Sequence, residues 1–165
     1  MSEGGMIYFE LLNEDGKKKT GTSSINIFNF LVCLHYYCPA ELIIVMDNAR
    51  IHGGEDFERV RNLLKESTKK INIEFLPKYS PFLNPIELAF NIIKTEIKHK
   101  EIKSRSEMAE AICQAISNKM TPDICSKSFQ HCQKFYSSCT HMQPITGNII
   151  KDPQNFFQVP SDNVS

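Results

Sequence analysis

Two carboxylates carry the chemical interest of this sequence. Asp47 closes the apolar run "LIIVM" and opens "DNARIH", so that Asn48, Arg50 and His52 follow it closely. Glu87 comes after "LPKYSPFLNPI", in which Pro77, Pro81 and Pro85 restrict the backbone at short intervals. Carboxylate oxygens on stiff elements are what a hard divalent ion takes as ligands. A charge at the exit of a buried strand is also costly unless it is paired or bound to a metal. Each acid has an ordinary explanation too. Asp is common in turns and as a helix N-cap. Asn84, Pro85 and Glu87 at N-cap, N1 and N3 reproduce a capping box.

One helix face extends the argument. Asn91, Lys94 and Lys98 follow Glu87 at i+4, i+7 and i+11. A carboxylate beside a row of amines suits metal-assisted chemistry on a polyanion, although such a row is equally the solvated side of an amphipathic helix.

The elements that must position these groups are readable from periodicity. "GMIYFELLN" alternates and reads as a strand, with "NEDGKKK" as the turn after it. "TSSINIFNFLVCLHYY" reads as a helix with Ile27, Phe30, Leu31 and Leu34 inward. Leu42–Met46 is continuously apolar, the pattern of a strand covered on both faces. "EDFERVRNLLKEST" is a helix burying Phe57, Val60, Leu63 and Leu64, and "INIEFL" a further strand. "PIELAFNIIKTEIKHK" is a long helix with Ile86, Phe90, Ile93 and Ile97 as its buried stripe. Helices near Glu107–Met120 and Pro122–Ser138 follow, and the sequence from Met142 onward has no periodicity. Alternating strands and helices predict an α/β layered fold, in which ligands gather at the carboxyl ends of strands.

Composition sets limits. The chain has 165 residues, 41% hydrophobic content and zero formal net charge, which fits one core with a small appendage. No apolar run is long enough to span a membrane, and the N-terminus carries no secretory pattern. The six cysteines are therefore expected to be reduced thiols in an intracellular protein. Cys125, Cys132 and Cys139 recur every seven residues, on one helix face, where Cys packs as a small hydrophobe.

"IIVMDNARIH" and "LPKYSPFLNPIELAFNIIK" together closely resemble the second and third signatures of the DDE-superfamily transposases, in particular the mariner-like and related insertion-sequence branch. The resemblance covers about residues 5–103, with Phe90 where the family often has Trp and Lys94 at its lysine. It implies an RNase H-like layered sheet with flanking helices, in which Asp47 and Glu87 are the second and third acids of a Mg²⁺ or Mn²⁺ site that cuts and joins DNA. Asn48, Arg50, His52, Lys78, Asn91, Lys94 and Lys98 are then candidate DNA contacts. His52 either touches DNA or steadies the Asp47 loop. Arg50 pairs with a phosphate or with Glu55 or Asp56.

The family's first acid lies on the first strand of its sheet, well upstream of the second. Glu10, Glu14 and Asp15 do not occupy its place. The expectation is a chain lacking the first two strands and the helical DNA-binding region, with weak metal binding and little activity. An apolar strand without its neighbour leaves an open edge, so oligomerisation through that edge is expected. The expected division is a partial catalytic domain at 1–103, a helical appendage at 104–141 and a loose tail at 142–165. In a eukaryote the setting would be the nucleus.

Two other readings stay open. "KTEIKHKEIKSR", residues 94–105, carries Lys94, Lys98, Lys100, Lys103 and Arg105 against Glu96 and Glu101, enough for salt-sensitive phosphate binding without catalysis. Alternatively, the amphipathic helices from Glu107 to Ser138 dock a protein partner.

Overall fold

The computed structural model describes residues 1–12, 21–49, 54–143 and 145. Its elements in chain order are α1 (Ser24–Tyr37), β1 (Ile43–Met46), α2 (Glu55–Glu66), β2 (Asn72–Phe75), α3 (Pro85–Lys98), α4 (Arg105–Lys119), α5 (Pro122–Gln133) and α6 (Tyr136–Thr140), with a 3-10 turn at Pro81–Leu83 before α3.

The centre of the fold is a parallel β1–α2–β2 unit. Ile43, Ile44, Val45 and Met46 pair in register with Asn72, Ile73, Glu74 and Phe75. The alternation of side chains gives this two-stranded sheet two unlike faces. Ile44, Met46, Ile73 and Phe75 turn toward a core built with Leu31 and Leu34 of α1 and Phe57, Val60 and Leu64 of α2. Ile43 and Val45 stand on the other face beside Asn72 and Glu74, 61% and 53% exposed. The expected burial of this strand on both faces is therefore corrected. Helices cover one side of the sheet, and no described element covers the other.

A second core joins α3, α4 and α5 through Ala89, Ile93, Ala115, Ile116, Met120 and Cys125. It absorbs the apolar stripes of α4 and α5. Phe82 of the 3-10 turn meets Phe135 edge-on at 5.4 Å, which fixes the entrance of α3 against the end of α5. The single helix expected over Pro122–Ser138 is broken here, because Phe135 turns into the core between α5 and α6.

The alternation of "GMIYFELL" does not make a strand. Met6 packs on the second core and Ile7 and Tyr8 on the first, so the segment bridges the two cores instead of pairing in a sheet. Tyr8 lies against Phe30 at 5.3 Å and stacks on Tyr37 at 4.9 Å. An isolated bridge between Ser2 and Gly5 is the β pairing found in residues 1–12. Leu63 and Phe90, both expected inside, are exposed.

The cysteines separate by depth. Cys125 and Cys132 are fully buried in the helical core, whereas Cys139 on α6 is exposed. The seven-residue repeat continues past the break in the helix, and the face does not.

Candidate active site

Asp47 follows the last residue of β1 and is exposed, as is Asn48 after it. The Met46 carbonyl accepts a hydrogen bond from the Leu76 N–H at 2.8 Å, continuing the ladder one step past β2. The chain that leads to Glu87 thus departs beside the residue that precedes Asp47. This is the carboxyl end of a parallel strand pair, where α/β folds place their ligands.

A run of short hydrogen-bonded turns carries the chain from there to α3. Lys78 and Tyr79 form a turn, and Leu83 N–H bonds to Ser80 O at 3.1 Å. Asn84 then caps α3, its Oδ1 accepting the Ile86 N–H at 3.4 Å. Pro85 stands at N1, where the missing N–H is no loss. The reciprocal half of the expected capping box does not form. The Asn84 N–H is given to Pro81 O at 3.0 Å instead of to the Glu87 carboxylate. The 3-10 turn has taken over the duty that Glu87 would perform in a box. Glu87 is left half-buried in the first turn of α3, where the positive end of the helix favours an anion.

Asn91, Lys94 and Lys98 are exposed along α3, spaced to share the Glu87 face. Phe90, 47% exposed, follows Glu87 at i+3. Beyond them, Lys103 pairs with Glu101 and Lys119 reaches Glu96, both at 3.3 Å. Among the described residues no ion pair engages Lys94, Lys98 or Lys100, so the basic row is left to solvent. Lys78 is also exposed. Arg50 and His52 lie outside the described residues.

No group of three or more His, Cys, Asp or Glu side chains converges in a metal-holding arrangement among the described residues. A concavity of about 290 Å³ between α2 and β2, lined by Glu58, Arg61, Lys65 and Glu74, contains neither acid. Its charge is mixed, and the Arg61 guanidinium within it donates to Ile73 O at 3.3 Å. The remaining histidines do not converge: His99 and His141 are exposed, His131 meets the Phe135 ring edge-on, and His35 lies on α1 with its Nε2 buried and without a hydrogen-bond partner among the described residues.

The family described as DDE superfamily endonuclease matches residues 17–109, more than half of the chain, with Asp47 and Glu87 both inside the match. The chain belongs to the DDE superfamily endonucleases. Neither a curated protein nor a solved structure matches it. Membership concerns the matched span alone and adds no claim about α5 or α6, which lie outside it. No helix among the described residues is long and apolar enough to cross a membrane. Asp47, Glu87 and the basic row of α3 all carry a local sequence signal. Tyr79, between Pro77 and Pro81, is almost wholly exposed.

Proposed function

We propose that this DDE endonuclease domain binds DNA at the carboxyl end of the β1–β2 pair, with Asp47 and Glu87 as the second and third acids of an RNase H-like site of the mariner-like branch. The observation that carries the reading is the α3 entrance. Asn84 and the 3-10 turn cap the helix without Glu87, leaving a half-buried carboxylate available for ligation.

The donor set fits a divalent ion. Two carboxylates are hard oxygen ligands, and Mg²⁺ or Mn²⁺ takes one or two of them with the rest of its shell filled by water and substrate phosphate. Asp47 and Glu87 would hold it. When bound, the ion supplies Lewis-acid polarisation of a phosphodiester and a more acidic water. The chain's own contribution is to fix Glu87 by the turns before it and to offer Lys94 and Lys98 to backbone phosphates. Asn48, Lys78 and Asn91 flank that path, and Arg50 and His52 follow Asp47 in the chain. In this reading residues 1–103 form the catalytic portion and 104–141 a helical appendage docked on α3; the stretch from 142 onward lies almost wholly outside the described residues.

The test is Mn²⁺ binding followed by electron paramagnetic resonance, with nicking of supercoiled plasmid in parallel. Asp47→Asn and Glu87→Gln should each weaken Mn²⁺ binding by about tenfold or more, as expected when one of two carboxylate ligands is lost. Wild-type affinity in Glu87→Gln would remove the site.

The exposed Lys94, Lys98 and Lys100 favour a second reading, in which the domain binds DNA without cutting it. There the plasmid stays intact and the affinity falls steeply with salt.

A further inference from the structure

Tyr79 is 97% exposed, and its backbone is in the left-handed region at φ 60°. Left-handed backbone alone marks little, since Glu41 and Lys70 share it in ordinary turns. What sets Tyr79 apart is the combination. A non-glycine residue there is strained, and Gly or Asn would occupy the position with less strain. An aromatic ring turned wholly to water gives the fold nothing in return. Tyr36 and Tyr37, also exposed, at least touch other rings, His35 at 6.0 Å and Tyr8 at 4.9 Å. Tyr79 has no ring contact among the described residues.

Its position is the second part of the argument. The Lys78–Tyr79 turn stands between Pro77 and Pro81, on the segment that leaves β2 beside Met46 and ends at Glu87. The loop is pinned before the turn by Leu76 N–H to Met46 O and after it by Leu83 N–H to Ser80 O. A stiff loop that displays an exposed ring next in sequence to an exposed lysine has the two parts of a single-strand contact. The ring gives a nucleobase a face to stack on, and the lysine gives its phosphate a charge. Paired bases offer no free face, so such a contact selects an unpaired nucleotide.

From this, and resting on the reading of Asp47 and Glu87 as a DNA site, we infer that Tyr79 is a stacking platform for an unpaired nucleobase of the DNA strand bound beside those acids. Lys78 contributes a phosphate contact that is indifferent to base pairing.

The experiment uses the full chain and a DNA duplex with a short single-stranded overhang carrying 2-aminopurine, whose fluorescence is quenched on stacking. A blunt duplex of the same sequence is the control, and binding is followed by anisotropy. The wild-type protein should quench the probe and prefer the overhang. Tyr79→Phe should retain both properties. Tyr79→Ala should abolish quenching and weaken overhang binding by about five- to a hundredfold, the range of one base–aromatic stack, with blunt-duplex affinity unchanged. Lys78→Ala should weaken both DNAs alike and leave the quenching at saturation. Because the side chain packs on nothing and each replacement keeps a Cβ, neither Tyr79 variant has cause to misfold.

Quenching and affinity in Tyr79→Ala equal to wild type would overturn the inference while leaving the DNA site standing. Equal wild-type affinity for both DNAs without quenching would do the same. Failure of the wild-type protein to bind any DNA would remove the site itself and the inference with it.

Discussion

Burial pushes the Cys132 thiol up to about 11 from its ordinary value of 9.0, because a thiolate in the helical core has no water around it. Burial raises Cys125 and Cys38 in the same direction, the latter opposed by the nearby Lys69 ammonium. The sign of the consequence follows from linkage. Below pH 9 the thiol is protonated in both folded and unfolded chains, and its contribution to stability is complete. Between about pH 9 and 11 the unfolded chain releases its proton first, so stability falls with rising pH. For Cys132 alone the loss is of order 2–3 kcal/mol. Urea unfolding at a series of alkaline pH values should show that slope, and Cys132→Ala should flatten it despite the cavity it leaves. An unchanged slope in that variant would assign the effect to other groups. Tyr79 offers the opposite kind of test. Tyr79→Gly should relieve left-handed strain and stabilise the fold by up to about 1 kcal/mol, read from the same curves. A destabilised glycine variant would mean that the ring supports the fold after all.

Among the elements, the start of α3 matters most for the site. Asn84→Ala removes the cap on the Ile86 N–H and should cost about 1 kcal/mol of stability. Because Glu87 stands one residue later, the same change should loosen Mn²⁺ binding, whereas removal of a distant cap such as Ser104 of α4 should not. Equal effects of the two on Mn²⁺ would separate the cap from the site. The helices were legible in the sequence because Phe57, Val60 and Leu64, or Leu31 and Leu34, recur at the helical period whatever packs on them. β1 was legible as a strand, but its covering was not. Ile43 and Val45 are as apolar as Ile44, and only the arrangement of the other elements decides which pair is buried. Phe90 failed for the same reason. The strand expected from "GMIYFELL" does not form because a strand needs a pairing partner, which an apolar pattern does not name; Ile7 and Tyr8 both pack on the first core instead. Lys69 left no sequence signal at all: its ammonium donates to the carbonyls of His35, Tyr36 and Cys38 and so closes the end of α1 from another part of the chain. Of the candidate site, Asp47 and Glu87 were legible because their motifs are local. The release of Glu87 from the cap was not, because it depends on the 3-10 turn supplying Pro81 O.

At the scale of the whole molecule, the open side of β1 is the feature with the largest consequence. Asn72 N–H donates to Leu42 O and Leu76 N–H to Met46 O, so residues 42, 44 and 46 turn their backbone groups toward β2. By the period of a strand, Ile43 and Val45 turn theirs the other way, where no described strand pairs with them. The side chains of the same two residues form the uncovered apolar face. An edge with free donors and acceptors, flanked by β-branched side chains and no charge within the strand, is a template for another chain. The protein should therefore associate as its concentration rises, through β1. Val45→Lys places a charge on the uncovered face next to Glu74, its partner in register, and touches nothing in the core. That variant should sediment as a monomer where the wild-type chain does not, with stability changed by no more than about 0.5 kcal/mol, as for other surface substitutions. The two readouts separate the causes of any failure. A Val45→Lys chain that associates as strongly as wild type would place the contact elsewhere. A wild-type chain that stays monomeric throughout would show that the edge of β1 is protected within the folded protein, and the open face would then need another explanation.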